Sequence, residues 1–145
     1  MAPLIVLVIG ILISRAVGML GVEWLESWKI CTRVGFSAMF LFTGVAHFNR
    51  MRGDLVRMVP PIFRRPETMV TITGLAELAG AAGLIVNATS KLAAYGLMLL
   101  MTLMLPANIY AARTGLTIAG RPATQLAIRV PLQVMWIAML WWSVS

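Results

Sequence analysis

The stretch MVTITGLAELAGAAGLIV, residues 69–86, decides the fold of this chain. A run this long and apolar can cross the hydrocarbon core of a bilayer as a helix. Its one charge, Glu77, lies near the middle. A carboxylate at that depth is costly in hydrocarbon, so it should face the interior of a helical bundle and have a partner there. The stretch therefore predicts a membrane-spanning helix, with Glu77 as the first candidate functional residue.

The composition extends this prediction to the whole chain. Of the 145 residues, 60% are hydrophobic and only 12% are charged, whereas soluble domains carry about 25% charged residues. Apolar segments cover residues 3–20, 30–48, 69–86, 92–112 and 123–144. We predict an all-α polytopic transmembrane bundle with four core helices and an N-terminal helix. Residues 1–29 would form the leading helix and an interfacial linker, and residues 30–145 the four-helix domain.

The charges predict the orientation of the bundle. Two loops, residues 49–66 and 113–122, hold most of the basic residues that give the net charge of +7. The positive-inside rule places these loops and the N-terminus in the cytoplasm, so a bacterial inner membrane is the expected location. Trp24, Trp28, Trp141 and Trp142 then fall at the outer interface. Topology and the lipid bilayer account for the basic charge, and nucleic-acid binding is not expected.

Several polar residues share the predicted cytoplasmic half of the bundle with Glu77. His47 lies close to the arginine-rich loop, and histidine titrates near neutrality, so we expect Glu77 and His47 to handle protons. The candidate ligand-binding residues are Asn108, Tyr110, Arg129 and Gln133.

Structural roles are the alternative for these residues, because helices in lipid hold one another by buried hydrogen bonds. Arg129 could neutralise Glu77 or pair with a lipid phosphate. Asn108 could satisfy carbonyl groups that Pro106 frees. Small residues on the Glu77 segment (Ala76, Ala79, Gly80 and Gly83) would allow close helix approach beside the carboxylate.

Metal and cofactor sites are not predicted. The chain has one histidine and one cysteine, Cys31, too few for an ordinary zinc or haem site. Its methionines are typical filler of apolar helices. The residues themselves do not firmly imply a cofactor.

Five motifs resemble the DoxX-like family of small integral membrane proteins. They are FLFTGVAHF at 40–48, MVPP at 58–61, TGLAELAGAAGL at 73–84, LPANIYAA at 105–112 and RVPLQ at 129–133. The resemblance covers about residues 35–142. It implies a bundle of four core helices and an association with thiosulfate:quinone oxidoreductase subunits or with membrane systems of oxidative stress.

Three functions follow as hypotheses. The first is a membrane subunit of a redox or oxidative-stress system that binds a quinone or another lipid-soluble molecule in the cytoplasmic half. Because the sequence contains no complete catalytic site or redox-centre motif, it would act as an accessory subunit beside a redox partner protein. The second is a membrane anchor or assembly factor that docks a partner through Pro60, Pro61, Arg64 and Arg65. The third is a small-solute transporter, which would require a homo-oligomer.

Overall fold

The computed structural model describes residues 2–145, which fold mainly into α-helices. The helices are α1 (Ala2–Met19), α2 (Trp28–Ala46), α3 (Arg52–Met58), α4 (Pro66–Ile85), α5 (Ser90–Leu103), α6 (Leu105–Arg113) and α7 (Leu126–Val144). A short hairpin pairs β1 (Thr117–Ile118) with β2 (Arg121–Pro122). Within the described residues, α1, α2, α4, α5 with α6, and α7 are long and apolar enough to cross a membrane. The predicted all-α transmembrane bundle is confirmed.

Four of these spans close a ring. Helix α2 packs against α4, α4 against α5, α5 against α7, and α7 returns to α2, while α1 lies outside the ring against α2. Phe36, Met39, Leu84, Leu97 and Leu140 are buried where the helices meet. The contacts therefore match the predicted arrangement of four core helices with one leading helix.

Glycines let α1 approach α2 closely. A Cβ on Gly35 would lie 2.5 Å from Ile11 Cγ1 and 2.9 Å from the Leu7 carbonyl oxygen. Gly10 faces the same contact, since its Cβ would lie 3.0 Å from Gly35 Cα. Close backbone contact of this kind stabilises helix pairs in lipid, where hydrophobic burial between helices contributes little.

One end of the bundle, here called the tryptophan end, joins the start of α2 to the end of α7. Lys29 Nζ lies 6.0 Å from the centre of the Trp142 ring and donates to the Ser145 carbonyl oxygen at 2.8 Å. The Arg15 guanidinium lies 5.2 Å from the centre of the Trp28 ring. These cations stack on aromatic rings, an arrangement suited to an interfacial belt.

The opposite end, here called the arginine end, brings together the loops at residues 49–66 and 113–122. Asp54 on α3 accepts a hydrogen bond of 2.8 Å from the Ala119 amide in the hairpin and also pairs with Arg57. The Ala119 hydrogen bond, followed by the Arg57 bond, holds the pKa of Asp54 below its usual value. The two arginine-rich loops therefore lie on the same side of the bundle, as the sequence predicts.

The structure departs from the sequence prediction at two places, and proline residues mark both of them. The segment predicted as one helix over residues 92–112 breaks at Met104 into α5 and α6. Pro106 causes the break, because it has no N–H to bond the Thr102 carbonyl and its ring crowds the preceding turn. The sequence indicates only a loop over residues 49–66, but this segment contains the short helix α3, which ends just before Pro60 and Pro61.

Candidate functional site at the interface of α2 and α4

The site is a buried pair of titratable side chains. His47 follows the last turn of α2 and Glu77 lies in the middle of α4, and their exposed fractions are only 4% and 5%. His47 Nε2 lies 3.5 Å from Glu77 Oε1. The structure brings the two proton-handling candidates together, and Glu77 has a titratable partner within the bundle.

Further hydrogen bonds define the role of each ring nitrogen. His47 Nδ1 lies 2.8 Å from the Val70 carbonyl oxygen. A carbonyl can only accept, so Nδ1 carries a hydrogen and donates it. Thr43 Oγ1 donates to Glu77 Oε2 at 2.5 Å, and Thr73 Oγ1 lies 3.3 Å from Nδ1. The remaining nitrogen, Nε2, faces the carboxyl group of Glu77.

In this geometry, His47 and Glu77 can share one proton. The proton can reside on Nε2, which makes an imidazolium and a carboxylate, or on Glu77, which makes a neutral imidazole and a carboxylic acid. Both forms have zero net charge. Adding or removing a proton would leave an uncompensated charge inside the bundle, which is costly. A single proton can therefore lie on either group without leaving a net charge inside the bundle.

Two glycines permit this contact between the helices. A Cβ on Gly74 would lie 2.5 Å from His47 Cβ, and a Cβ on Gly44 would lie 2.8 Å from Leu78 Cδ2 and 3.3 Å from Glu77 Cβ. Gly80 and Gly83, which the sequence placed beside the carboxylate, instead face Leu97 and Ala93 of α5. Those two glycines bring α4 and α5 together, and they do not bury Glu77.

Arg52 links the helix ends that flank the pair. Its Nη1 donates to the His47 carbonyl oxygen at 3.0 Å, and its Nη2 donates to the Glu67 carbonyl at 3.1 Å and to Thr71 Oγ1 at 2.8 Å. A cation at the C-terminal end of α2 also opposes the negative end of the helix dipole. Arg52 therefore ties the end of α2 to the start of α4 directly beside His47.

Gln133 lies at a different interface, that of α5 and α7. Its Nε2 donates to the Met101 carbonyl oxygen at 2.8 Å, in the turn before the Pro106 break. Gln133 thus donates to a carbonyl group beside the interruption, one residue before the Thr102 carbonyl that Pro106 cannot bond. A cavity of about 130 Å³ adjoins this amide and is otherwise mostly apolar. Its lining is Thr102, Leu105, Val130, Gln133, Val134 and Ile137, which includes neither His47 nor Glu77.

The other predicted ligand-binding residues are half-buried and lie near the arginine end. Asn108 and Tyr110 are on α6, and Arg129 is in the first turns of α7. The ion pairs of residues 2–145 are His47–Glu77 and Arg57–Asp54, so Arg129 does not neutralise Glu77. The described contacts therefore join two of the six candidates into one site and place Gln133 at another.

The predicted docking residues form an exposed surface. Arg64 and Arg65 are exposed and line a polar concavity of about 320 Å³ at the start of α4, together with Pro66, Glu67 and Thr68. Pro61 is exposed and Pro60 is half-buried. The surface is accessible on the same side as the other arginines.

Metal ligation finds no support in the side-chain positions. Over residues 2–145, no three His, Cys, Asp or Glu side chains come together as a group that could hold an ion. Cys31 is buried, and its Sγ lies 3.1 Å from the Leu25 carbonyl oxygen.

Sequence reasoning missed Thr43, Thr73 and Arg52. A signal for the two threonines was present, because Thr43 precedes His47 by one helical turn and Thr73 precedes Glu77 by one turn. Residues at that spacing share a helix face. Arg52 carried no such signal, since its contacts depend on how the loop folds back between α2 and α4.

Comparison with known proteins places this architecture in a family without assigning it a role. Neither the curated proteins nor the solved structures contain a match to the chain. One family model matches residues 36–144, which include α4 to α7 and most of α2. The chain belongs to the family described as a domain of unknown function, DUF8561.

Proposed function

We propose that this protein is an integral membrane subunit of a redox or oxidative-stress system, in which the His47–Glu77 pair exchanges a proton with a lipid-soluble molecule such as a quinone. The observation that carries the proposal is the contact between two buried titratable groups, His47 on α2 and Glu77 on α4. An ionisable pair kept at membrane depth, against the cost of burying it, favours a functional role.

Reduction of a quinone needs a group that supplies protons. Reduction of a quinone to a quinol takes up electrons together with an equal number of protons. The electrons would come from a partner protein. The protons would come from the His47–Glu77 pair, which would take up new protons from the arginine end. A positioned acid and base with access to both proton states is the arrangement that general acid–base catalysis uses.

The lipid-soluble molecule would lie beside the pair, in the cytoplasmic half of the bundle. The cavity between α5 and α7, with Gln133 and Thr102 among mostly apolar residues, is a separate feature, because neither His47 nor Glu77 lines it. The redox assignment also draws on the resemblance to DoxX-like proteins. In this proposal the membrane is a bacterial inner membrane, and the arginine end and the N-terminus are cytoplasmic.

Native mass spectrometry of protein gently extracted from its own membrane tests the proposal. Wild type is compared with Glu77→Gln and with Glu67→Gln, a matched control that removes an exposed carboxylate from the first turn of the same helix. We expect a retained quinone-sized ligand in wild type and in the Glu67→Gln control, and we expect this ligand to be lost in Glu77→Gln. Equal behaviour of all three proteins would refute the role of the pair.

A second candidate function is a membrane anchor that docks a partner protein. Ile62 and Phe63 are 83% and 41% exposed beside Arg64 and Arg65. An apolar pair flanked by cations suits a partner with an acidic rim. Replacing both arginines by glutamine should remove a stoichiometric partner on co-purification, while Glu77→Gln should leave that partner in place. Retention of the partner by the double variant would exclude this surface.

A further inference from the structure

Arg33 is a second buried charge, distant in sequence from the His47–Glu77 pair. It lies on α2 near the tryptophan end and is only 8% exposed. Its Nη2 donates to Asn87 Oδ1 at 2.9 Å, while its Nε is buried and has no hydrogen-bond partner. A guanidinium has five N–H donors, so most of its hydrogen-bonding capacity is unused.

No acid in the described chain compensates this charge. No carboxylate of residues 2–145 lies within 4.0 Å of the Arg33 guanidinium. The acids nearest in sequence, Glu23 and Glu26, are exposed in the linker between α1 and α2. Burying an uncompensated cation is costly, so the site calls for an anion that the chain does not provide.

The neighbouring turn adds further donors. Asn87, the partner of Arg33, lies in the turn that opens α5, and the Ser90 hydroxyl donates to the Asn87 carbonyl at 3.0 Å. The N-cap residue Thr89 makes no side-chain cap, because its hydroxyl donates to the Gly83 carbonyl instead. The first amide groups of α5 are therefore left without side-chain acceptors. Because free amide groups at a helix N-terminus attract negative charge, this end of α5 favours an anion.

We propose that Arg33 and the start of α5 bind a phosphate group, that of an anionic phospholipid, at the tryptophan end. The Arg33 backbone lies about 7.5 Å of helix beyond Trp28, and its long side chain reaches Asn87 in the turn at the tryptophan end, so its charged group can approach the head-group level. A guanidinium binds phosphate through two parallel hydrogen bonds, which a single exposed ammonium cannot do. This site is independent of the proton pair and of the function proposed for it.

Lipid titration monitored by native mass spectrometry tests the site. Wild type, Arg33→Gln, Arg33→Lys and Lys91→Gln are titrated in detergent with phosphatidylglycerol and, separately, with phosphatidylcholine. Lys91 is the matched control, because it is an exposed cation at the start of α5. We expect wild type and Lys91→Gln to prefer phosphatidylglycerol, and Arg33→Gln to bind it at least about tenfold more weakly. Arg33→Lys should fall between wild type and Arg33→Gln.

Two outcomes overturn the proposal. One is an unchanged preference for phosphatidylglycerol in Arg33→Gln. The other is an equal weakening of phosphatidylglycerol binding in Lys91→Gln, which would show that the general surface charge attracts the lipid. If Arg33→Gln does not fold, Arg33→Lys decides, and a preference equal to that of wild type would refute phosphate recognition by the guanidinium. Inorganic phosphate distinguishes the source of the phosphate group. Displacement of the lipid only by other anionic lipids supports a lipid site, whereas saturation by phosphate alone supports a site for the free ion.

Discussion

Alanine at position 74 should weaken the contact between α2 and α4. The added Cβ would lie 2.5 Å from His47 Cβ and 2.8 Å from His47 Cγ. The His47 ring is held by the Val70 carbonyl and by Glu77, so it cannot turn aside without losing those contacts. Overpacking of this kind costs about 1–3 kcal/mol, and replacing a helical glycine by alanine returns about 0.5–1 kcal/mol. We therefore expect a net loss of up to about 2.5 kcal/mol in the free energy of unfolding.

The matched control is Gly96→Ala on α5, where an added Cβ meets nothing within 4 Å. It should gain about 0.5–1 kcal/mol from the helical backbone alone. Reversible unfolding of both variants in mixed micelles, followed by circular dichroism, measures the difference in the free energy of unfolding. If Gly74→Ala is as stable as Gly96→Ala, the close approach of α2 and α4 at His47 is not as described.

Three further predictions concern the surrounding contacts. Replacing Gln133 by leucine leaves the Met101 carbonyl without its donor and should lower the free energy of unfolding by about 0.5–1.5 kcal/mol in the same assay. Because the folded pKa of Asp54 is lowered, its bond to the Ala119 amide is fully present above the unfolded pKa of about 3.9 and is lost as pH falls through the folded pKa. The protection of the Ala119 amide from hydrogen exchange, relative to its intrinsic rate, should therefore fall in that acidic range in wild type, and Asp54→Ala, which has no acceptor, should lack this protection at every pH. Arg52→Gln should lower the free energy of unfolding by about 1–3 kcal/mol, and Arg52→Lys should recover part of it. Equal stability of the two variants would contradict the multiple hydrogen bonds of the guanidinium.

The spans were predictable from composition because long apolar runs leave a chain few alternatives in a membrane. The tight turn at residues 87–90 also predicts that α4 and α5 are neighbours, as they are. The order of the other contacts was not predictable. Helices that are apolar on most faces carry little information on which face meets which neighbour, so the central position of α2 had to come from the structure.

The partner of Glu77 illustrates the same limit. Depth alone predicted that Glu77 needs a partner, and two residues, His47 and Arg129, could have met that need. The choice depends on the contact between α2 and α4, which Gly44 and Gly74 permit. Gln133 was identified as a polar residue in the bundle, but its role at the Pro106 break required knowledge that α7 packs against α5.

The most direct test of the central claim is nitrogen NMR of protein labelled with ¹⁵N-histidine. The chain has a single histidine, so the imidazole signals belong to His47 without further assignment. The account predicts that Nδ1 carries a hydrogen in every populated state, and that the Nε2 signal moves when Glu77 is replaced by glutamine but not when Glu67 is. A non-protonated Nδ1, or an Nε2 signal indifferent to Glu77→Gln, would contradict a proton shared between these two side chains.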